Sequence, residues 1–91
     1  MYCHGMYVIT ATATRSDTGE LLPQVRCGCG AGITSWETAP VEAPVALFLC
    51  ATCPQCNAKT NIRFTEAAPG SWTVEYSAQE HGVPSACRED A

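Results

Sequence analysis

Cys53-Pro54-Gln55-Cys56-Asn57 lies between two strand-like runs, Val45 to Ala51 and Lys59 to Thr65, and its reading decides the fold. A Cys-x-x-Cys turn directs both sulfurs to one side. Proline presets φ in the turn, backbone N–H groups within it can donate to the sulfurs, and Asn57 is one of the few non-glycine residues that tolerate left-handed backbone. The flanking runs therefore read as two strands joined through a sulfur-bearing tip.

Toward the N-terminus, Cys27-Gly28-Cys29-Gly30 ends an earlier strand and is again followed by a residue able to take positive φ. The two pairs are separated by 23 residues. That span holds a short strand, Ile33 to Trp36, an exposed loop from Glu37 to Pro44 with two prolines and two glutamates, and the returning run Val45 to Ala51. Two hairpin tips can then meet over one tetrahedral ion. From about Val25 to Phe64, under half the chain, the arrangement resembles a zinc ribbon. The resemblance implies one structural Zn²⁺ bound by Cys27, Cys29, Cys53 and Cys56. The first pair departs from the usual pattern, being Cys-x-Cys, a tighter bite that Gly28 makes feasible.

Cys50 offers a substitute ligand, since Cys50-x-x-Cys53-x-x-Cys56 matches the first three cysteines of a ferredoxin-type run. The fourth cysteine and proline of such a run are replaced by Thr60 and Asn61, so an iron–sulfur reading needs a remote Cys27 or Cys29. A rubredoxin-like iron site is a further alternative, and the plain reading of Cys50 is packing in a central strand. Cys3, His4, His81 and Cys87 would make a second site only if the termini converge.

The rest of the chain is patterned for strands. Tyr7 to Thr14 alternates, Ser16-Asp17-Thr18-Gly19 supplies turn chemistry, and Leu21 to Arg26 returns as the second arm of a hairpin. Lys59 to Thr65 and Trp72 to Ser77 alternate about the turn Ala68-Pro69-Gly70-Ser71. Only Ser77 to Gly82 offers a short helix candidate. The expectation is a mainly β, single domain over residues 1–91, a small antiparallel domain built around a zinc-ribbon core at 25–64, with hairpins at both ends and a mobile polar tail at 78–91.

A chain of 91 residues buries only about 60% of the surface it exposes when unfolded, so disulfides, a metal or a partner must supplement the core. Seven cysteines point to one of these. The count is odd and the first residues carry no export signal, so a cytoplasmic chain is expected, with metal favoured over disulfides. Val45 to Ala51, the longest apolar stretch, cannot span a bilayer.

Four thiolates would saturate the ion and leave no position for activated water, and no nucleophile elbow or phosphate loop is present. The chain reads as a non-enzyme. Its net charge of −4 repels phosphate backbones and favours a protein partner with a basic surface, met through the Glu37 to Pro44 loop and above all Glu37 and Glu42. Small acidic proteins of this style include phage and mobile-element inhibitors or regulators of host nucleic-acid-handling machinery. The alternative is a nucleic-acid-binding ribbon, using Arg26, Lys59 and Arg63 with Trp36 and Phe64 for stacking. Oligomeric state is not legible in the sequence.

Overall fold

In a computed structural model that describes residues 6–83, the chain forms seven strands: β1 Ile9–Arg15, β2 Leu21–Cys27, β3 Gly32–Ile33, β4 Trp36–Thr38, β5 Val45–Thr52, β6 Lys59–Ala68 and β7 Ser71–Glu80. All pairings are antiparallel. They make a three-stranded sheet, β1-β2-β3, and a four-stranded sheet, β4-β5-β6-β7. No helix occurs among the described residues, so none is long and apolar enough to cross a membrane.

The expected strand from Ile33 to Trp36 divides. Gly32 and Ile33 pair with β2, whereas Trp36, Glu37 and Thr38 pair with β5, so the chain changes sheet at Thr34 and Ser35. Glu37 and Thr38 belong to β4 rather than to a loop. The helix candidate is strand as well: β7 continues to Glu80, and Gly82 bridges to Tyr7, so pairing extends beyond Ala78. Residues 84–91 lie outside the described part.

The core lies where the sheets face each other. Ile9 and Ala11 from β1, Val25 and Cys27 from β2 and Ile33 from β3 meet Leu49 and Ala51 from β5 and Ile62 and Phe64 from β6, all buried. Alternation assigns these faces, since Leu49, Ala51 and Cys53 point in while Cys50 and Thr52 point out. β5 is internal to its sheet, as its apolar run implies, yet Ala46 and Cys50 are exposed because only one face is covered.

The outer edge of β1 is closed by side chains of β7. The Ala11 N–H donates to Tyr76 Oη at 2.8 Å, the same hydroxyl lies 3.2 Å from the Ala11 carbonyl as donor, and the Ile9 N–H donates to Gln79 Oε1 at 3.1 Å. At the far end Arg15 pairs with Glu66 at 2.6 Å and lies over the Trp72 ring. Since Ile9 and Ala11 direct their main-chain groups outward, the antiparallel ladder places Ile9–Cys27, Ala11–Val25 and Ala13–Pro23 among the pairs without mutual hydrogen bonds. Pro23 therefore sits where a strand tolerates proline. Its missing N–H faces the edge that two-residue β3 leaves open, which discourages further strand pairing there.

Candidate metal centre

Each cysteine pair occupies a tip closed by the same backbone logic. In the first, the Cys27 N–H donates to the Ala31 carbonyl and the Gly30 N–H to the Cys27 carbonyl, both at 3.0 Å. In the second, the Cys53 N–H donates to the Ala58 carbonyl at 2.8 Å and the Asn57 N–H to the Cys53 carbonyl at 3.0 Å. The residue that follows each pair is left-handed, Gly30 at φ 100° and Asn57 at φ 66°. These are the conformations their side chains permit.

The tips face each other. The four sulfurs of Cys27, Cys29, Cys53 and Cys56 lie within 4.8 Å of one another. Sulfur contacts cross between the tips, at 3.3 Å for Cys27–Cys56 and 3.5 Å for Cys29–Cys53. Four ligands about 2.3 Å from a central ion define a tetrahedron with edges of about 3.8 Å, so the donor set fits a tetrahedral thiolate-bound metal. All four thiols are free of disulfides. Cys27, Cys53 and Cys56 are buried and Cys29 is half-buried.

Electrostatics within the group are uneven. Burial pushes the Cys27 thiol well up, with the neighbouring sulfurs adding to the shift and only the Cys29 N–H opposing it. Burial also raises Cys56, partly offset by the Ala58 N–H and the Cys27 thiol. Burial raises Cys53 too, but the N–H groups of Cys56 and Gln55, with the Cys29 and Cys56 thiols, outweigh it and hold this thiol down to about 7. The Gln55 N–H lies 3.4 Å from the Cys53 sulfur. Cys53 is thus the member most ready to meet a cation as thiolate.

Chain segments remote in sequence close round the tips. The Gly28 N–H donates to the Val8 carbonyl at 2.9 Å, and Tyr7 and Gly82 exchange two main-chain hydrogen bonds at 2.9 and 3.0 Å. Gly82 packs on Cys56: a Cβ there would lie 2.8 Å from the Cys56 carbonyl oxygen and 2.9 Å from its Cβ, and would clash with its sulfur. Sequence reasoning missed this collar, because an isolated glycine after a polar stretch carries no signal of what it touches.

Cys50 is not brought to the group. It is exposed on the outward face of β5, paired in register with Glu37 and Asn61, so it neither substitutes as a ligand nor packs in the core. Strand alternation is the reason, because residues 50 and 53 point to opposite sides. The three-cysteine run of the ferredoxin-type reading is split accordingly. His81 is exposed beside Gly82, while Cys3, His4 and Cys87 lie outside the described residues.

Glu37 and Glu42 are both at the surface, Glu37 opposite Cys50 and Glu42 in the turn whose carbonyl accepts from the Val45 N–H. The residues expected to form a nucleic-acid patch are dispersed. Phe64 is fully buried and cannot stack on a base, Arg63 pairs with Glu75 at 2.8 Å, and Lys59 stands opposite Glu80. Only Arg26 and Trp36 share a surface, a groove beside β3.

No family model, curated protein or solved structure matches this chain. What the site can do follows from its own geometry: a cysteine cluster compatible with metal binding, built at the junction of two small sheets.

Proposed function

We propose that the chain is a non-catalytic, zinc-stabilised β scaffold that acts by binding a protein partner with a basic surface. The observation that carries this reading is the four-cysteine cluster. Four sulfur donors complete the coordination of a tetrahedral Zn²⁺, whose contribution when bound is to fix the two tips together rather than to activate water. Zinc is the reading for the metal because four thiolates in tetrahedral array suit it; the same donors also suit a single iron.

A metal at this point would act on the whole fold. Cys27 and Cys29 follow from the smaller sheet and Cys53 and Cys56 lie between two strands of the larger, so the ion would join the two sheets. Structural zinc contributes about 10–16 kcal/mol of apparent binding energy in small peptides, comparable to the whole stability of a domain this size. The protein-binding role draws on charge. A net −4, taken further negative by two units with four thiolates on Zn²⁺, favours basic surfaces, including surfaces built for nucleic acid.

The test has two arms. Elemental analysis should find one zinc per chain, lost on chelation together with most of the thermal stability; a metal-free protein whose melting is indifferent to chelator would sink the zinc reading. Affinity purification should yield a stoichiometric partner, and Glu37→Lys with Glu42→Lys should weaken it while leaving zinc content unchanged. Salt-sensitive binding of DNA or RNA at about 50 mM salt would favour the nucleic-acid reading instead.

A further inference from the structure

We propose that the groove beside β3 is a binding site for a short extended peptide that presents one carboxylate next to an apolar or aromatic side chain. The groove has a volume of about 740 Å³ and runs over the outward face of the smaller sheet. Its floor carries two cross-strand pairs, Thr10 with Arg26 and Thr12 with Gln24, and one wall is Trp36.

Charge selects the ligand. Among the described residues no acidic side chain lines this groove, and Arg26 is its one charged group. Among the described residues Arg26 is exposed and makes no ion pair, unlike Arg15 and Arg63. A guanidinium flanked by hydroxyl and amide side chains offers a fork of donors to a single carboxylate. Trp36 stands opposite the buried Ala51, so part of its indole packs on the core and is held in place, while the remainder faces the groove. A half-fixed indole is a ready wall for an apolar side chain. At Gly32 a side chain would meet nothing within 4 Å, which leaves room for a ligand backbone.

One Arg matches one carboxylate. A nucleic-acid strand would bring several phosphates to a chain of net −4 with a single cation in the groove, and the peptide is favoured for that reason. The site rests on the protein-binding role proposed above; Glu37 lines the adjoining groove, which shares Trp36 with this one, whereas Glu42 lines neither.

The probe is a displayed library of random heptapeptides selected on the metal-loaded protein, followed by titration of synthetic versions of the enriched peptides. Enriched sequences should carry Asp or Glu beside an aromatic or aliphatic residue and should shift the Trp36 indole N–H resonance, identified with Trp36→Phe. Arg26→Gln, at an exposed position and checked for unchanged melting, should weaken them at least tenfold. Absence of enrichment, acid-free peptides, equal affinity for Arg26→Gln, or an oligothymidylate that moves the Trp36 signal where peptides do not would each overturn the assignment. If it fails while a partner sensitive to Glu42→Lys persists, only the groove is lost.

Discussion

Gly82 and Cys56 are packed so closely that residue 82 has no room for a side chain, although the two are separated by a whole β-hairpin. A methyl group there would press on the sulfur, Cβ and carbonyl oxygen of Cys56 together, and main chain is the part that yields least. Gly82→Ala should cost about 1–3 kcal/mol, the usual range for overpacking, and should displace the Cys56 sulfur. Thermal melting and metal competition against a chromophoric chelator would register both effects. Unchanged metal affinity would show that the strand end is free to move away.

The knuckles themselves were legible because their chemistry is local: proline, Asn57 and Gly30 state the turn within five residues, and the apolar run Val45 to Ala51 and the alternation of Lys59 to Thr65 state the flanking strands. What local pattern could not state was how the sheets meet. Tyr76 looks like an ordinary strand residue and Gln79 like part of a short helix or polar tail, but their polar tips close the edge of β1, some 65 and 70 positions away. Ile33 to Trp36 likewise looks continuous, and only tertiary pairing reveals that it serves two sheets. Cys50 was misjudged for a simpler reason, since counting inward from Leu49 would have placed it on the outer face.

Ala78 is left-handed at φ 52°, where the pairing of β6 with β7 slips between Asn61–Ser77 and Lys59–Glu80. The bulge re-aims the strand so that Gln79 reaches Ile9 and Gly82 reaches Cys56. Alanine is strained in this conformation and glycine is not, so Ala78→Gly should stabilise the protein by up to about 1 kcal/mol despite the greater freedom of the unfolded chain. A higher denaturant midpoint at constant slope is the expected result. A loss of stability would mean that the strain is relieved in solution.

Removing the Tyr76 hydroxyl should be felt more than its exposure implies. Tyr76→Phe leaves both the N–H and the C=O of Ala11 without their partner at a half-buried edge, at a cost of about 1–3 kcal/mol. Amide hydrogen exchange at Ala11 should accelerate by more than the change in global stability accounts for. Equal acceleration at all slow amides would assign the loss to packing alone.

Oxidation of the metal-free protein should join sulfurs across the tips. Cys27–Cys56 at 3.3 Å and Cys29–Cys53 at 3.5 Å are sulfur contacts that cross from one turn to the other. Hydrogen peroxide would take one electron pair from each pair of thiols, forming two disulfides and releasing water, with half-buried Cys29 the most accessible point of attack. Peptide mapping should recover the two cross-tip linkages, and prior loading with Zn²⁺ should retard both. Predominant Cys53–Cys56 linkage would contradict the arrangement of the sulfurs.

Metal should reverse the direction in which pH acts on stability. Without metal, burial holds Cys27 and Cys56 up, so above the ordinary thiol range of about 8.5 the unfolded chain ionises where the fold resists, and stability falls as pH rises. Cys53 acts oppositely: held down to about 7, its contribution is complete above the ordinary thiol pKa and is lost as pH falls through about 7. Two raised groups against one lowered make the alkaline loss the larger. With metal bound, all four sulfurs are thiolates and protons compete with the ion, so stability falls steeply as pH drops instead. Melting across about pH 5 to 10, with and without chelator, should give a curve that falls above about 8.5 without metal and one that is level there and falls toward acid with it. Parallel curves would show that the cluster holds no ion that matters to the fold.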